Sequence, residues 1–369
     1  MKAGIEAFSL QKSNTGIGNY TYQLLRSLSE ISANEDFTSH IYINEAKSGC
    51  TDFCPIQNIK SFSLDGRFKE ILYRTLLMGG YINRTDIDIY HGTAFYLPMG
   101  LRKRSVITVH DLACYKYANT FESMKVLYAR LCIPDSLKRA DRIIAVSENT
   151  KRDLIDIFGV KEDRIKVIYE AADRNYEVCS PEKVEEVKTK YGINKYILCV
   201  GTLEPRKNLV SLLKAYARII NLLPEACRLV ITGRKGWLYD EILKTAGDLG
   251  DKVIFTGYVT NEELMLLYNG ASVFVYPSLY EGFGLPVIEA MACGTPVITS
   301  NSSSLPEVVG AAGIMTDPLS IGELSDAILN VVSNDELRNK LSKKSLERAG
   351  LFSWDKAARQ TLEVYRELC

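Results

Sequence analysis

The chain has 369 residues, 46% hydrophobic and 24% charged, enough to bury a sizeable core and long enough for two domains. Lys and Arg together number 45 and Asp and Glu 45, a balance that argues against nucleic acid as a partner. No stretch approaches the roughly 20 apolar residues of a membrane-spanning helix.

The opening MKAGIEAFS lacks the apolar centre of a secretion signal and reads as a first strand. Strand candidates in the first half are KAGIEAF, SHIYIN, IDIY, SVITVH, RIIAVS and RIKVIYE, with helical patterns over 18–31 and 121–139. The basic run LRKRS at 101–105 reads as a solvated turn. A charged stretch, 174–195, then reads as linker plus the opening helix of a second series. That series holds KYILCVG, CRLVITG, DKVIFTGYV, ASVFVYPS and GTPVITS. Near-continuous apolar strands separated by helices predict an α/β protein with two parallel sheets, each covered on both faces.

Nine cysteines are scattered, and Cys132, Cys199 and Cys293 fall in apolar runs, as expected of reduced thiols in a cytoplasmic protein. Cys50 and Cys54 are close, but no second pair or His follows at ligand spacing. Asp86 and Asp88 alternate with Ile87 and Ile89 at a strand entrance, so they read as structural rather than metal-binding. Neither a metal nor a cofactor is expected.

In open α/β sheets ligands bind beyond the carboxyl ends of the strands. YILCVGTLEPRKNL runs from a strand through Gly201 to Arg206 and Lys207 at a helix start, a place for a multiply charged anion such as a diphosphate. In YPSLYEGFGLPVIE, Glu281 and Glu289 flank a Gly282-Phe283-Gly284-Leu285 turn, with Pro286 suited to a first helical turn. Backbone N–H groups there suit phosphate and sugar oxygens, and carboxylates suit the hydroxyls of a ribose or hexose. Each motif alone has a plainer reading as a solvated pair or a loop acid. Together they fit a sugar joined to a nucleotide through a diphosphate.

EGFGLPVIE resembles the Glu-x7-Glu motif of the retaining glycosyltransferases of family 4, also called glycosyl transferases group 1. NTGIGNYTYQLLRSL, ITVHDLACYKY, ADRIIAVSENTKRDLI, GTLEPRKNL, VIFTGYVTNEEL and SSSLPEV match further family segments in order, most closely in the bacterial mannosyltransferase-like branch. The resemblance implies the GT-B fold, two Rossmann-like domains facing across a cleft. The expected division is an acceptor-side domain at 1–175, a linker and opening helix at 176–194, a nucleotide-sugar domain at 195–350, and a helix at 351–369 crossing back to the first domain.

By the same resemblance Arg206 and Lys207 neutralise the donor diphosphate, Glu281 meets the donor sugar's hydroxyls, and Glu289 holds the ribose. Gly16, Gly18, Gly201 and the 282–285 backbone approach the donor, Tyr258 and Val259 lie by the base, and His110 lies by the sugar. His91 follows a strand and is a weaker candidate for the acceptor side. The implied activity is retaining, metal-independent transfer of a hexose to a glycan or lipid-linked saccharide in cell-surface polysaccharide synthesis, with mannose from GDP-mannose as first choice. A UDP-hexose donor and a GT-B nucleotide-sugar epimerase are the alternatives. A dinucleotide-dependent oxidoreductase is disfavoured, because TGIGNYT lacks the second spacing of Gly-x-Gly-x-x-Gly. The stretch GRFKEILYRTLLMGGY, with Arg67, Lys69 and Arg74 beside apolar residues, reads either as a peripheral contact to the inner face of the membrane or as a helix packed on its sheet.

Overall fold

The computed structural model describes residues 1–10, 15–32, 35–44, 58–64, 66–223 and 227–369. Cys50 and Cys54 lie outside the described residues. The chain divides into two compact units. Unit 1 comprises Met1–Leu112, Val126–Glu170 and Ser353–Cys369, and unit 2 comprises Ala113–Lys125 and Ala171–Phe352. The last helix therefore belongs with the first half of the chain, and a 113–125 excursion of the first half belongs with the second.

Unit 1 is built on a seven-stranded sheet of β1 (Lys2–Glu6), β2 (Thr38–Asn44), β3 (Ile59–Phe62), β4 (Ile89–Gly92), β5 (Arg104–Val109), β6 (Arg142–Ala145) and β7 (Ile165–Val167). Its order is β3-β2-β1-β4-β5-β6-β7, and the strand pairs are parallel. Strand order reverses between β1 and β4. Helix Gly16–Ser32 lays Tyr20, Leu24, Leu28 and Ile31 inward at three- and four-residue spacing. Burying one such aliphatic side chain is worth about 1.5–3 kcal/mol. Helix Trp354–Arg366 covers the same region. The ring of Trp354 stands 5.7 Å from that of Tyr20, and Tyr365 Oη lies 2.6 Å from Nδ1 of His91.

Unit 2 is built on β8 (Lys195–Val200), β9 (Cys227–Thr232), β10 (Val253–Gly257), β11 (Val273–Tyr276), β12 (Val297–Ser300) and β13 (Ile314–Thr316), in the order β10-β9-β8-β11-β12-β13. These pairs are parallel as well, and the order reverses between β8 and β11. One core layer joins Leu212, Leu213 and Tyr216 to Leu229, Ile231 and Ile328, with the strands buried on both faces. The 113–125 excursion is held within this unit by the Trp237 indole N–H, which donates to Thr120 O at 2.5 Å, and by Lys125, whose Nζ lies 4.2 Å over the Trp237 ring. Cys199 and Cys293 are buried free thiols and Cys132 is half-buried; burial pushes Cys199 up to about 12.

Asp86 and Asp88 sit at the start of β4 and tie down the start of β1. Asp86 pairs with the Lys2 ammonium, and Asp88 Oδ2 accepts from Lys2 N at 2.7 Å. Among the described residues no group of three His, Cys, Asp or Glu could hold a metal ion, and no helix is long and apolar enough to cross a membrane. The amphipathic reading of 67–81 is altered at one residue. Leu76 and Leu77 are exposed, but Arg74 turns inward, with Nη2 3.0 Å from Glu6 Oε1.

Candidate functional site

The largest gathering of sequence-predicted residues stands where the order of the second sheet reverses. β8 leads through Gly201 to a short turn, Pro205–Lys207, and β11 leads through Pro277 and Ser278 to Glu281. Gly201 has φ +154°, and its amide donates to Thr232 O at 2.9 Å, which directs the chain out of β8 beside β9. A non-glycine residue here would be strained, and its Cβ would lie 3.3 Å from the Lys207 side chain.

Arg206 and Lys207 converge on one carboxylate. Arg206 Nη1 lies 2.9 Å from Glu281 Oε2, and Lys207 Nζ lies 2.6 Å from Glu281 Oε1. Lys207 Nζ also donates to the Tyr276 hydroxyl at 2.6 Å. Arg206 Nη2 donates to Glu204 Oε1 at 2.5 Å, and its Nη1 donates to Tyr280 O at 2.7 Å. Two cations and two carboxylates thus form a buried, charge-balanced cluster. Burial alone would raise the Glu281 carboxyl, but the Arg206 and Lys207 charges, with the hydrogen bond from Lys207, outweigh it and hold the group down at about 2. Burial and the Glu281 charge push the Tyr276 phenol well up, so it stays neutral. An arrangement of this kind can bind an anion only by exchanging internal pairs for external ones.

The Glu281 loop is wired to a serine run. The single Ser304 O–H lies between two carbonyls, 3.0 Å from Glu281 O and 2.8 Å from Phe283 O, and Ser303 Oγ accepts from Glu281 N at 2.9 Å. Ser302 Oγ donates to Leu279 O at 3.0 Å. Gly284 then adopts φ +109°, where a Cβ would come within 2.9 Å of Leu305 Cδ2, and helix Leu285–Ala292 starts with Pro286 in its first turn. Glu289 is buried on this helix and accepts from the Tyr268 hydroxyl at 3.1 Å. Val259 is buried, while Tyr258 is 52% exposed with the Arg234 guanidinium 4.3 Å over its ring.

Gly16, Gly18 and His110 belong to unit 1 and not to this cluster. Gly16 opens helix Gly16–Ser32, and a Cβ there would meet no atom within 4 Å among the described residues, so none of these requires glycine at that position. His110 follows β5 and is clamped: Nε2 lies 2.9 Å from Thr93 O, and Nδ1 lies 3.2 Å from Glu170 Oε1. A carbonyl only accepts, so Nε2 carries a hydrogen. The ring packs edge-on against Tyr20 at 4.6 Å. His91 is fully buried between Tyr365 and the Thr108 hydroxyl, 2.8 Å from Nε2, and burial depresses its pKa to about 3. It is a neutral structural bridge with no surface open to solvent.

Glu170, Glu204, Tyr276 and the serine run are the partners that sequence reasoning missed as individual residues. Glu204 lies two residues from Arg206 and was within reach of motif reading. Glu170 is 60 residues from His110 and carries no local signal.

The description Glycosyl transferases group 1 matches residues 181–348, and Glycosyltransferase Family 4 matches residues 14–176. O-antigen chain mannosyltransferase B of Escherichia coli is 39% identical over 289 residues, which cover 76% of this chain and 74% of that one. O-antigen chain mannosyltransferase RfbU of Salmonella typhimurium is 28% identical, over 87% of this chain and 88% of that one. The chain spans 29% of the serotype-specific mannosyltransferase WbdA of Escherichia coli, at 32% identity. Among solved structures, sucrose-phosphate synthase from Thermosynechococcus elongatus superposes with a TM-score of 0.76 at 22% identity, covering 100% of this chain and 98% of that one. Anabaena HepE, solved with UDP and glucose, gives 0.75 at 18%, covering all of both chains. These likenesses establish the fold as GT-B, and the family match with the 39% identity establishes membership: the chain belongs to the glycosyltransferases of family 4, the glycosyl transferases group 1.

Proposed function

We propose that this protein is a retaining mannosyltransferase that moves mannose from GDP-mannose to a saccharide acceptor in cell-surface polysaccharide synthesis. The observation that carries the reading is the convergence of Arg206 and Lys207 on Glu281 at the carboxyl end of β8 and β11. Support for mannose and for polysaccharide comes from the O-antigen mannosyltransferases to which the chain is similar.

In this reading the donor diphosphate takes the place of carboxylate oxygens on Arg206 and Lys207. Glu281 turns to the sugar's hydroxyls and Glu289 holds the ribose. The backbone at 282–285 and the glycines Gly16, Gly18 and Gly201 admit the donor closely, and Tyr258 and Val259 border the base. As the glycosidic bond breaks, negative charge grows on the leaving diphosphate, where two fixed cations stabilise it without a metal ion. His110 steadies the positive charge developing on the sugar ring, with Glu170 as its positioning partner. No carboxylate has been assigned as a nucleophile on the far side of the anomeric carbon, so the leaving diphosphate accepts the acceptor's proton on the same face, and configuration is retained. An acceptor carried on lipid would bring the exposed Leu76 and Leu77 to an anionic surface, a contact read by salt-sensitive vesicle binding.

A thermal-shift panel of GDP-mannose, UDP-glucose, ADP-glucose and NADH tests the donor. GDP-mannose should raise Tm most. A larger shift with UDP-glucose would replace the donor assignment, and a response to NADH alone would remove the glycosyl-transfer reading.

A further inference from the structure

In the serine run that supports the Glu281 loop, Ser303 has a backbone at odds with its residue type. Its φ is +54°, in the left-handed region that glycine enters freely and asparagine on occasion. Both of those residues are used nearby, Gly284 at φ +109° and Asn208 at φ +56°. A serine in this region is strained, and such strain persists where the surroundings fix it, often beside functional groups.

The side chain supplies the reason. Ser303 Oγ accepts from Glu281 N at 2.9 Å. Its neighbours bond in the opposite sense: the Ser302 hydroxyl donates to Leu279 O at 3.0 Å, and the Ser304 hydroxyl lies between the carbonyls of Glu281 and Phe283. Of the three consecutive serines, Ser303 alone holds the Glu281 amide. That amide matters because the carboxylate beyond it has to change partners. Its two oxygens lie 2.6 Å from Lys207 Nζ and 2.9 Å from Arg206 Nη1, and meeting a sugar hydroxyl takes it off one or both cations. A side chain that turns on a drifting backbone loses its aim. We propose that Ser303 is a positioning residue for Glu281: a strained serine stands where a glycine would relax, and its oxygen pins the Glu281 amide while the carboxylate passes from the two cations to the donor sugar. The proposal rests on the glycosyltransferase reading and adds a residue that this reading does not assign.

The test uses the full chain with Ser303→Gly, Ser303→Ala and Ser303→Asn. Ser303 is half-buried, so none of the three opens the core. Glycine relaxes the backbone and removes the oxygen, alanine removes the oxygen and keeps the strain, and asparagine restores an acceptor oxygen on a residue that tolerates the region. Titration calorimetry compares GDP-mannose with GDP, which has no sugar for Glu281 to meet. The expected result is GDP-mannose affinity lowered at least fivefold in both the Gly and the Ala variants and largely recovered in Asn. GDP affinity should stay within twofold throughout, and Tm should fall in Ala but not in Gly. Wild-type affinity in Ser303→Gly, equal losses for the two ligands, or affinity that follows Tm would overturn the proposal. A wild type that bound neither ligand would remove the glycosyl-transfer reading instead. Hydrogen exchange at the Glu281 amide would then judge the brace: faster in Gly and Ala than in wild type and Asn upholds it, and equal rates in all four overturn it.

Discussion

At the scale of single residues, the account turns on Arg206, Lys207 and Glu281. If Arg206 and Lys207 stabilise charge that grows only as the donor breaks, Arg206→Ala and Lys207→Ala should each lower kcat/KM by about 2–4 kcal/mol, mostly through kcat. Glu289→Ala should act mainly on the donor KM, because ribose hydroxyls change little during the reaction. Steady-state kinetics of the three variants checks both claims, and equal effects on kcat would contradict the division of roles. Glu281 also makes an acid-stability prediction. Its carboxyl is held down at about 2 in the folded chain against an ordinary 4.5, so the folded state favours the ionised form. That contribution, on the order of 3 kcal/mol, is present above pH 4.5 and lost as pH falls toward 2. Thermal melts from pH 7 to pH 2 should show wild type more stable than Glu281→Gln at neutral pH, with the gap closing through that window. A gap that widened on acidification would refute it.

At the scale of elements, the Glu281 turn depends on backbone that only glycine adopts without strain. Gly284→Ala combines φ +109° with a 2.9 Å approach to Leu305 and should cost roughly 1–3 kcal/mol in chemical denaturation. A neutral substitution would mean that the turn relaxes freely. The elements also show what sequence could and could not reveal. Eleven strand candidates named from apolar runs correspond to β1, β2, β4–β7 and β8–β12. The two strands without a candidate, β3 and β13, are edge strands. β3, Ile59–Phe62, has three exposed residues of four, and β13 is only three residues long, so neither has the continuous apolar run that two-sided burial imposes. Site residues adjacent to strand ends were legible for a related reason, since a parallel sheet puts its functional groups just after apolar runs. Partners joined only by tertiary packing, such as Glu170 with His110 or Tyr365 with His91, were not.

At the scale of the whole molecule, chain order and structural units part company at two places. Residues 113–125 leave the first half for unit 2, and Ser353–Cys369 return to unit 1. The return is secured by Trp354, Leu362 and Tyr365, all buried, and by the Tyr365–His91 contact at 2.6 Å. Deleting 353–369 should therefore strip the cover from helix Gly16–Ser32 and lower stability severely, as read by Tm and by exposure of apolar surface to a dye. A deletion with unchanged Tm would show that unit 1 is complete without it.

The central claim concerns the whole molecule: glycosyl transfer with retained configuration, its leaving group stabilised by protein cations. The most direct measurement is proton NMR of the anomeric coupling in product made from an α-linked nucleotide sugar, with EDTA present throughout. The account predicts an α-glycoside and free nucleoside diphosphate, formed at nearly the rate seen without chelator. A β-glycoside, or activity abolished by EDTA and restored by magnesium or manganese, would contradict it.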